Sequence, residues 1–244
     1  MSKTCNGLFL YAHYIVEELR ILDKLSKNPN QWSDVFPGGM DDFFLQNFQR
    51  VFDQLGEIIF KKLFGCVIVA PSPLPESIIS YILKGETSSY DEQQVMDAVS
   101  LFVVSRTSDQ TITFLHNLVP AWLTNRKKAS QKFFIDKETA TKDLRDVFVE
   151  ILGSLIRGPS LTSVHADVDL VDYVVRVAVR FLCQLGGKDS LNLGFSCLTN
   201  YHYIERRLQC SRVEVYHLLQ DFMLVSDPLD KPKREILADR KSVV

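Results

Sequence analysis

The stretch SRTSDQTITFLHNLVPAWLTN, residues 105–125, decides the fold, because its hydrophobic period changes twice over a short distance. Two runs rich in β-branched and aromatic residues, 101–105 and 111–115, flank a polar turn around Ser108. Runs of this kind joined by turn residues predict a small β-hairpin. After His116 the apolar residues recur at helical spacing, so the sequence predicts that a strand passes into a helix at this histidine.

His116 is the main candidate for a functional side chain, because it lies at the predicted strand-to-helix corner. Asn117, which follows it, belongs to the residue types that cap a helix N-terminus through a side-chain oxygen. Pro120 fits the first turn, where proline loses no helical hydrogen bond. The positive end of a helix favours an anion. We therefore expect an anion-binding corner here, and the ordinary alternative is a structural histidine with satisfied hydrogen bonds.

The composition is that of a globular protein. The chain has 244 residues, of which 46% are hydrophobic and 11% aromatic, and this is enough to bury a core. A net charge of −2 favours neither nucleic acid nor an anionic membrane as partner. Five cysteines without a C-x-x-C pair predict reduced, buried thiols. Without a signal-peptide layout or an apolar run of membrane-spanning length, we expect a soluble cytoplasmic protein.

The hydrophobic pattern predicts a mostly α fold in four parts. Residues 1–56 form a helical segment, and its start so close to residue 1 leads us to expect a preceding part of the protein. Residues 57–125 carry three helices and a two-stranded wing, the order of a winged helix. Residues 126–226 predict an antiparallel helical array, and residues 227–244 a disordered or truncated tail. The array helices are expected at 142–156, 168–185, 198–208 and 213–225.

Motifs of known catalytic chemistry are absent from the sequence. It contains no G-x-x-x-x-G-K-[ST], G-x-G-x-x-G, H-E-x-x-H or G-x-S-x-G signature. The nearest approach to the last of these, GFSCL at residues 194–198, lacks the second glycine. No pair of carboxylates and no Cys/His couple stands out. We therefore expect that these residues alone are not an enzyme.

A winged helix invites a nucleic-acid interpretation, which the charge pattern disfavours. The third helix, where a reading helix would lie, carries Asp91, Glu92 and Asp97. No Lys or Arg occurs between Lys84 and Arg106. Because DNA contacts need positive charge to neutralise phosphates, a nucleic-acid binder is the least favoured function.

Two further groups of residues late in the chain are weaker site candidates. Two cysteines and two histidines could be imagined as zinc ligands: Cys197, His202, Cys210 and His217. Their spacing matches no familiar ligand pattern, so packed thiols and surface histidines are the favoured interpretation. Arg206 and Arg207 could serve a partner, although the charged side of an amphipathic helix is the favoured explanation.

Several motifs, in order, resemble STAND-class signalling NTPases, the NACHT and NB-ARC proteins. FLHNLVPAWLTN at residues 114–125 resembles the end of their winged-helix domain, where a Met/Leu-His-Asp motif precedes an amphipathic helix. NGLFLYAHYIVEEL at residues 6–19 resembles the helical domain that follows their nucleotide-binding core, with Gly7 and Phe9 among the matching positions. FPGGMDDFFLQNFQRVF at 36–52 and VAPSPLPESIISYIL at 69–83 are similar to the next two signatures.

This resemblance implies a regulatory role and no catalysis by these residues. It implies that His116 contacts the β-phosphate of ADP and holds the winged helix against a nucleotide-binding core, with Gly7 and Phe9 near the nucleotide. ADP or ATP would bind only together with that core, which we expect before residue 1. Implied partners are this core, downstream sensor repeats and further copies in an active homo-oligomer. Asn117 departs from the usual Asp. The alternative is a nucleotide-independent protein-interaction scaffold.

Overall fold

A computed structural model describes residues 39–84, 90–158, 167–210 and 214–226, together with Val16. The described part is mostly α-helical with one small antiparallel sheet, which confirms the predicted fold class. Apart from Val16, the predicted first helix, which includes Gly7 and Phe9, lies outside the described residues, as does the tail 227–244. No helix of the described ranges is long and apolar enough to cross a lipid bilayer.

The described elements alternate between long helices and the short strands of the wing. In chain order they are α1 (Met40–Val69), β1 (Leu74–Pro75), α2 (Ile78–Lys84), α3 (Glu92–Val99), β2 (Val103–Arg106), β3 (Thr111–Phe114), α4 (Leu118–Leu123), α5 (Lys137–Arg157), α6 (Val168–Leu185), α7 (Lys188–Leu198), α8 (Tyr201–Cys210) and α9 (Glu214–Ser226). The predicted end of α6 at Gly186 is confirmed. The start predicted for α5 at Lys142 is wrong, because the Asp136 carboxylate accepts from the Thr139 N–H and caps the helix earlier.

Gly56 divides α1 at the predicted boundary between the first two parts of the chain. Its φ of +76° and ψ of 167° are non-helical and lie where glycine meets little steric penalty. The ring of Phe48, before the kink, packs edge-on against Phe60 and Phe64, after it, with centroids 5.9 and 5.6 Å away. The predicted boundary at residues 56 and 57 therefore falls inside a helix whose two halves share one core.

The predicted wing is present and has a third strand. The strand order is β1-β3-β2, all antiparallel, and Val104 of β2 pairs with Thr113 of β3. The two residues of β1 lie in a proline-rich stretch, which the sequence predicts only as a break between helices. The helix that precedes the wing begins as predicted, because Asp91 and Gln94 form reciprocal side-chain to backbone hydrogen bonds of 2.8 and 3.1 Å.

Aromatic side chains fill the core of the winged helix. The Phe48 ring stacks on Phe102, with centroids 4.2 Å apart, and on Trp122, with centroids 5.2 Å apart. Pairs of this kind contribute about 0.5–1.5 kcal/mol each beyond the area they bury. The Trp122 indole also donates to Asp41, at 3.0 Å, and so ties α4 to the first turn of α1. The corner that carries His116 thus rests on a packed core.

The winged helix and the helical array pack directly against each other. A Cβ placed on Gly65 of α1 would lie 3.1 Å from the Cβ of Ala140, so glycine permits the close approach of α1 and α5. The Tyr173 hydroxyl of α6 donates to the carbonyl of Ser72, at 3.1 Å, and fixes the array beside β1. Within the array, α6 contacts each of the four other helices.

Candidate functional site

His116 lies between the last wing strand and α4, as the sequence predicts. Its neighbour Leu115 continues the wing, because its N–H donates to the carbonyl of Phe102 at 2.9 Å. The His116 side chain is exposed and is not packed into the apolar core. The structure therefore presents this imidazole at the surface, at a corner that backbone hydrogen bonds hold on the strand side.

The imidazole itself caps α4. The N–H of Leu118 donates to Nδ1 of His116 at 3.0 Å. The predicted cap by Asn117 is wrong: this residue has helical dihedral angles, φ −64° and ψ −18°, and its side chain makes no capping hydrogen bond. A capping residue normally has extended dihedral angles that aim its side chain at the first turn, so the histidine has taken over this role.

The backbone donors of the first turn of α4 are already used. Besides Leu118, the N–H of Val119 donates to the carbonyl of His116 at 3.1 Å, and that of Ala121 donates to Asn117 at 3.3 Å. Pro120 has no N–H. The expected anion-binding helix end is therefore wrong for α4, and the imidazole is the group at this corner that an anion would meet.

The hydrogen bond to Leu118 decides where the neutral ring carries its proton. Since Nδ1 accepts, Nε2 bears the hydrogen and is a donor. No described residue hydrogen-bonds to Nε2 of His116, and the side chain is exposed. The corner therefore presents one oriented N–H donor to a ligand, and the ring is held in place from its other nitrogen.

Two exposed apolar side chains lie on the outer face of the sheet. Strand register places Val103 and Phe114 on the inner face, so Val104 and Leu115 lie on the opposite one. Both of these side chains are exposed. His116 thus follows directly in sequence on an exposed apolar residue of the wing, Leu115.

The other sequence candidates do not assemble into a site. Gly7 and Phe9 lie outside the described residues. The described residues contain no group of three or more metal-ligating side chains, so the imagined zinc set is not brought together. Burial raises the pKa of Cys197 to about 12, which keeps this thiol protonated. Cys210 is half-buried and donates to the carbonyl of Arg206.

The surface of α3 fits nucleic acid poorly. Its exposed side chains include the carboxylates of Asp91, Glu92 and Asp97. The Asp97 carboxylate accepts from Gln93, at 2.7 Å. No Lys or Arg lies on this helix to neutralise a phosphate.

An ionic network inside the array is the feature that sequence reasoning missed. The side chains of Arg207 and Asp221 are both fully buried and pair through Nη1 and Oδ2 at 2.6 Å. Arg180 reaches the other oxygen of Asp221 at 2.7 Å. Nη1 of Arg207 also donates to the Tyr203 hydroxyl, at 3.0 Å, and to the carbonyl of Val175, at 3.2 Å. The expected surface role of Arg207 is therefore wrong: this side chain joins α6, α8 and α9.

Arg206, beside it, has a different position. Its Nε donates to the Asp172 carboxylate of α6 at 2.7 Å, and both side chains are part-buried. The two adjacent arginines thus both bind other helices of the array. The sequence signal for these contacts is limited to acidic residues on α6 and α9 that could pair with the arginines. It does not indicate which of the two arginines is buried.

Comparisons with known proteins identified no relative of this chain. No family model matches the chain, and neither a curated protein nor a solved structure matches it.

Proposed function

We propose that these residues form the regulatory, non-catalytic middle part of a STAND-type ATPase switch. In this proposal the winged helix holds an ADP-bound closed state, and the array leads to a sensor repeat domain. One observation carries it: His116 is exposed at the wing corner, with Nδ1 occupied by the Leu118 N–H and Nε2 available as a donor. The order of the motifs resembling STAND proteins supports the same interpretation.

The chemistry proposed for His116 is a hydrogen bond from Nε2–H to a phosphate oxygen of ADP. The nucleotide itself sits in a separate core, since these residues contain no phosphate-binding loop. A hydrogen bond to a charged group contributes about 1.5–3 kcal/mol. Because ADP makes this bond only in the closed state, it binds that state more tightly and shifts the equilibrium toward it.

Packing between the winged helix and the array explains how loss of the contact between His116 and a phosphate would affect the array. The winged helix contacts the array through α1 and α5, and Tyr173 bonds to Ser72 across the same junction. Tyr81 of α2 also hydrogen-bonds to Glu150 of α5. Elements packed in this way move together more readily than they deform. Loss of the phosphate contact would therefore free the winged helix and the array as one body.

A nucleotide exchange measurement tests the proposal. In the protein that joins a nucleotide-binding core to these residues, His116→Ala should speed ADP dissociation roughly 10- to 150-fold, from the 1.5–3 kcal/mol of the lost bond. Asn117→Ala is the matched control and should leave the rate unchanged, because the Asn117 side chain makes no capping bond. An unchanged rate in His116→Ala would refute the role of the histidine.

The second candidate, a nucleotide-independent scaffold, is favoured by one observation. Exposed apolar side chains concentrate on the last described helices, with Met223 of α9 the most exposed of them at 72%. Contiguous patches of this kind mark interaction surfaces. A scaffold would keep its partner affinity with or without ADP and would be indifferent to His116→Ala, whereas the switch would lose ADP dependence in that variant.

A further inference from the structure

Trp122 is the side chain that connects α4, the helix capped by His116, to α1. It lies one helical turn after Leu118, whose N–H donates to the imidazole. Its ring is buried and packs on Phe44 and Phe48 of α1, with centroids 5.5 and 5.2 Å apart. Because α4 has only six residues, the position of this one ring determines where the first turn of the helix lies.

Asp41 gives this packing a direction. The indole N–H of Trp122 donates to Oδ1 of Asp41 at 3.0 Å. Apolar contacts between rings depend weakly on direction, whereas a hydrogen bond weakens steeply when its angle departs from linearity. The carboxylate therefore fixes which edge of the indole faces the N-terminus of α1, and with it the rotation of α4 about its own axis.

The same carboxylate binds the turn that follows α4. Nζ of Lys128 lies 3.1 Å from Oδ1 and 3.3 Å from Oδ2 of Asp41. The N–H of Lys128 donates to the carbonyl of Asn125 at 3.0 Å, within the turn that begins directly after the helix. Both charged groups are exposed, so this ion pair adds little stability by itself. Asp41 thus holds α4 at its main buried ring and just beyond its last turn.

We propose that Asp41 is a positioning residue for His116. By orienting α4 through Trp122, it places the Leu118 N–H against Nδ1 and so keeps the hydrogen of the neutral ring on Nε2. The effect of Asp41 on ADP rests on the proposed function, since the orientation of the ring matters to a nucleotide only if Nε2 meets the phosphate. A displacement of the first turn of α1 would reach His116 by the same route.

Asp42 separates positioning from a general effect of charge. Asp41 and Asp42 both lie in the first turn of α1 and both side chains are exposed, so each interacts similarly with the positive helix end. Of the two, Asp41 alone hydrogen-bonds to Trp122 in the described part of the chain. Asp42→Ala is therefore the matched control. Asp41→Asn is the conservative variant, because it keeps an acceptor oxygen for the indole and removes the charge.

Nitrogen NMR of the 244-residue chain with isotopically labelled histidine measures the tautomer of His116. The spectra are recorded at alkaline pH, where imidazole is neutral, and His116→Asn identifies the signals by their loss. Asp41→Ala should lower the ratio of the Nε2–H form to the Nδ1–H form roughly 2- to 13-fold, the range that one hydrogen bond contributes. Asp42→Ala and Asp41→Asn should leave this ratio near that of the wild type.

A second variant removes the donor of the same hydrogen bond. Trp122→Phe keeps an aromatic ring without the N–H, so it should shift the tautomer ratio as Asp41→Ala does, and the two changes together should shift it no further. An unchanged ratio in Asp41→Ala overturns the proposal. An equal shift in Asp42→Ala overturns it too, because Asp41 would then act only through its charge at the helix end.

ADP release from the protein that includes the nucleotide-binding core separates this inference from the proposed function. If both hold, Asp41→Ala speeds release by no more than His116→Ala does, and Asp42→Ala leaves it unchanged. If His116→Ala speeds release while Asp41→Ala changes neither the tautomer ratio nor the release rate, the function stands and the positioning role is refuted. If Asp41→Ala shifts the ratio and neither variant alters release, the positioning role stands and the nucleotide contact is refuted.

Discussion

Replacing Asp221 by Asn should destabilise the array far more than a surface substitution would. The change keeps the size of the side chain and removes its charge. In the structure the carboxylate is fully buried and contacts Arg207 and Arg180 at 2.6 and 2.7 Å. After the substitution the Arg207 guanidinium stays buried and loses the charge of Asp221, while its bonds to the Tyr203 hydroxyl and the Val175 carbonyl remain.

The magnitude follows from the different surroundings of the two arginines. Breaking a fully buried ion pair by removing one partner costs about 3–5 kcal/mol, because the other charge stays out of water without the counterion that offset its burial. The Arg180 side chain is 37% exposed and can be solvated by water, so its share should stay near 1 kcal/mol or less. We therefore expect Asp221→Asn to cost about 3–5 kcal/mol and Arg180→Met about 1 kcal/mol or less.

Urea denaturation followed by circular dichroism measures both values. A double variant, Arg207→Met with Asp221→Leu, provides the decisive comparison, since apolar groups in place of a buried pair are often neutral or stabilising. It should recover most of the free energy of unfolding lost in Asp221→Asn. If Asp221→Asn costs less than about 1 kcal/mol, or if the double variant is no more stable than it, the buried pair is not what holds α9.

Two other predictions concern the backbone of α1 and a buried thiol. Gly56→Ala should lower the free energy of unfolding by about 1–3 kcal/mol, because alanine is strained at a φ of +76° although space is open there. Gly153→Ala, in the middle of α5, should raise it by about 0.5–1 kcal/mol in the same denaturation assay. Equal effects of the two substitutions would contradict the backbone conformation at Gly56. Burial raises the pKa of Cys66 from 9.0 to about 12, so the folded state retains a proton that the unfolded chain loses, and the free energy of unfolding should fall as pH rises above 9. Denaturation at pH 8 and pH 10 checks this, and Cys66→Ala should show a smaller fall.

Local signals were sufficient for much of the fold. The start of α3 at Asp91, the turn before β3 and the interruption at Gly56 each depend on a few neighbouring residues, so the sequence predicts them, although not the capping role of Gln94. Helix α7 was missed because glycine, serine and asparagine interrupt its apolar pattern; in the structure it packs on α6, α8 and α9. β1 was missed because two residues carry no periodicity.

The site shows the same division between local and tertiary information. The position of His116 at a strand-to-helix corner is a local property, and the sequence predicts it. The capping residue of α4 depends on the backbone dihedral angles at His116 and Asn117. The general preference of asparagine for N-cap positions therefore predicts the wrong residue. Burial of Arg207 depends on Asp221, fourteen residues later on another helix, and adjacent arginines look alike in sequence.

The most direct test of the central claim separates the two nitrogens of His116. Asn can replace Nδ1 as the acceptor for the Leu118 N–H, and Gln places its amide donor near the position of Nε2. In the protein that includes the nucleotide-binding core, release of a fluorescent ADP analogue should be fast in His116→Asn, although the corner stays capped, and closer to wild type in His116→Gln. Slow, wild-type release from His116→Asn would contradict the phosphate contact and leave the imidazole with a capping role alone.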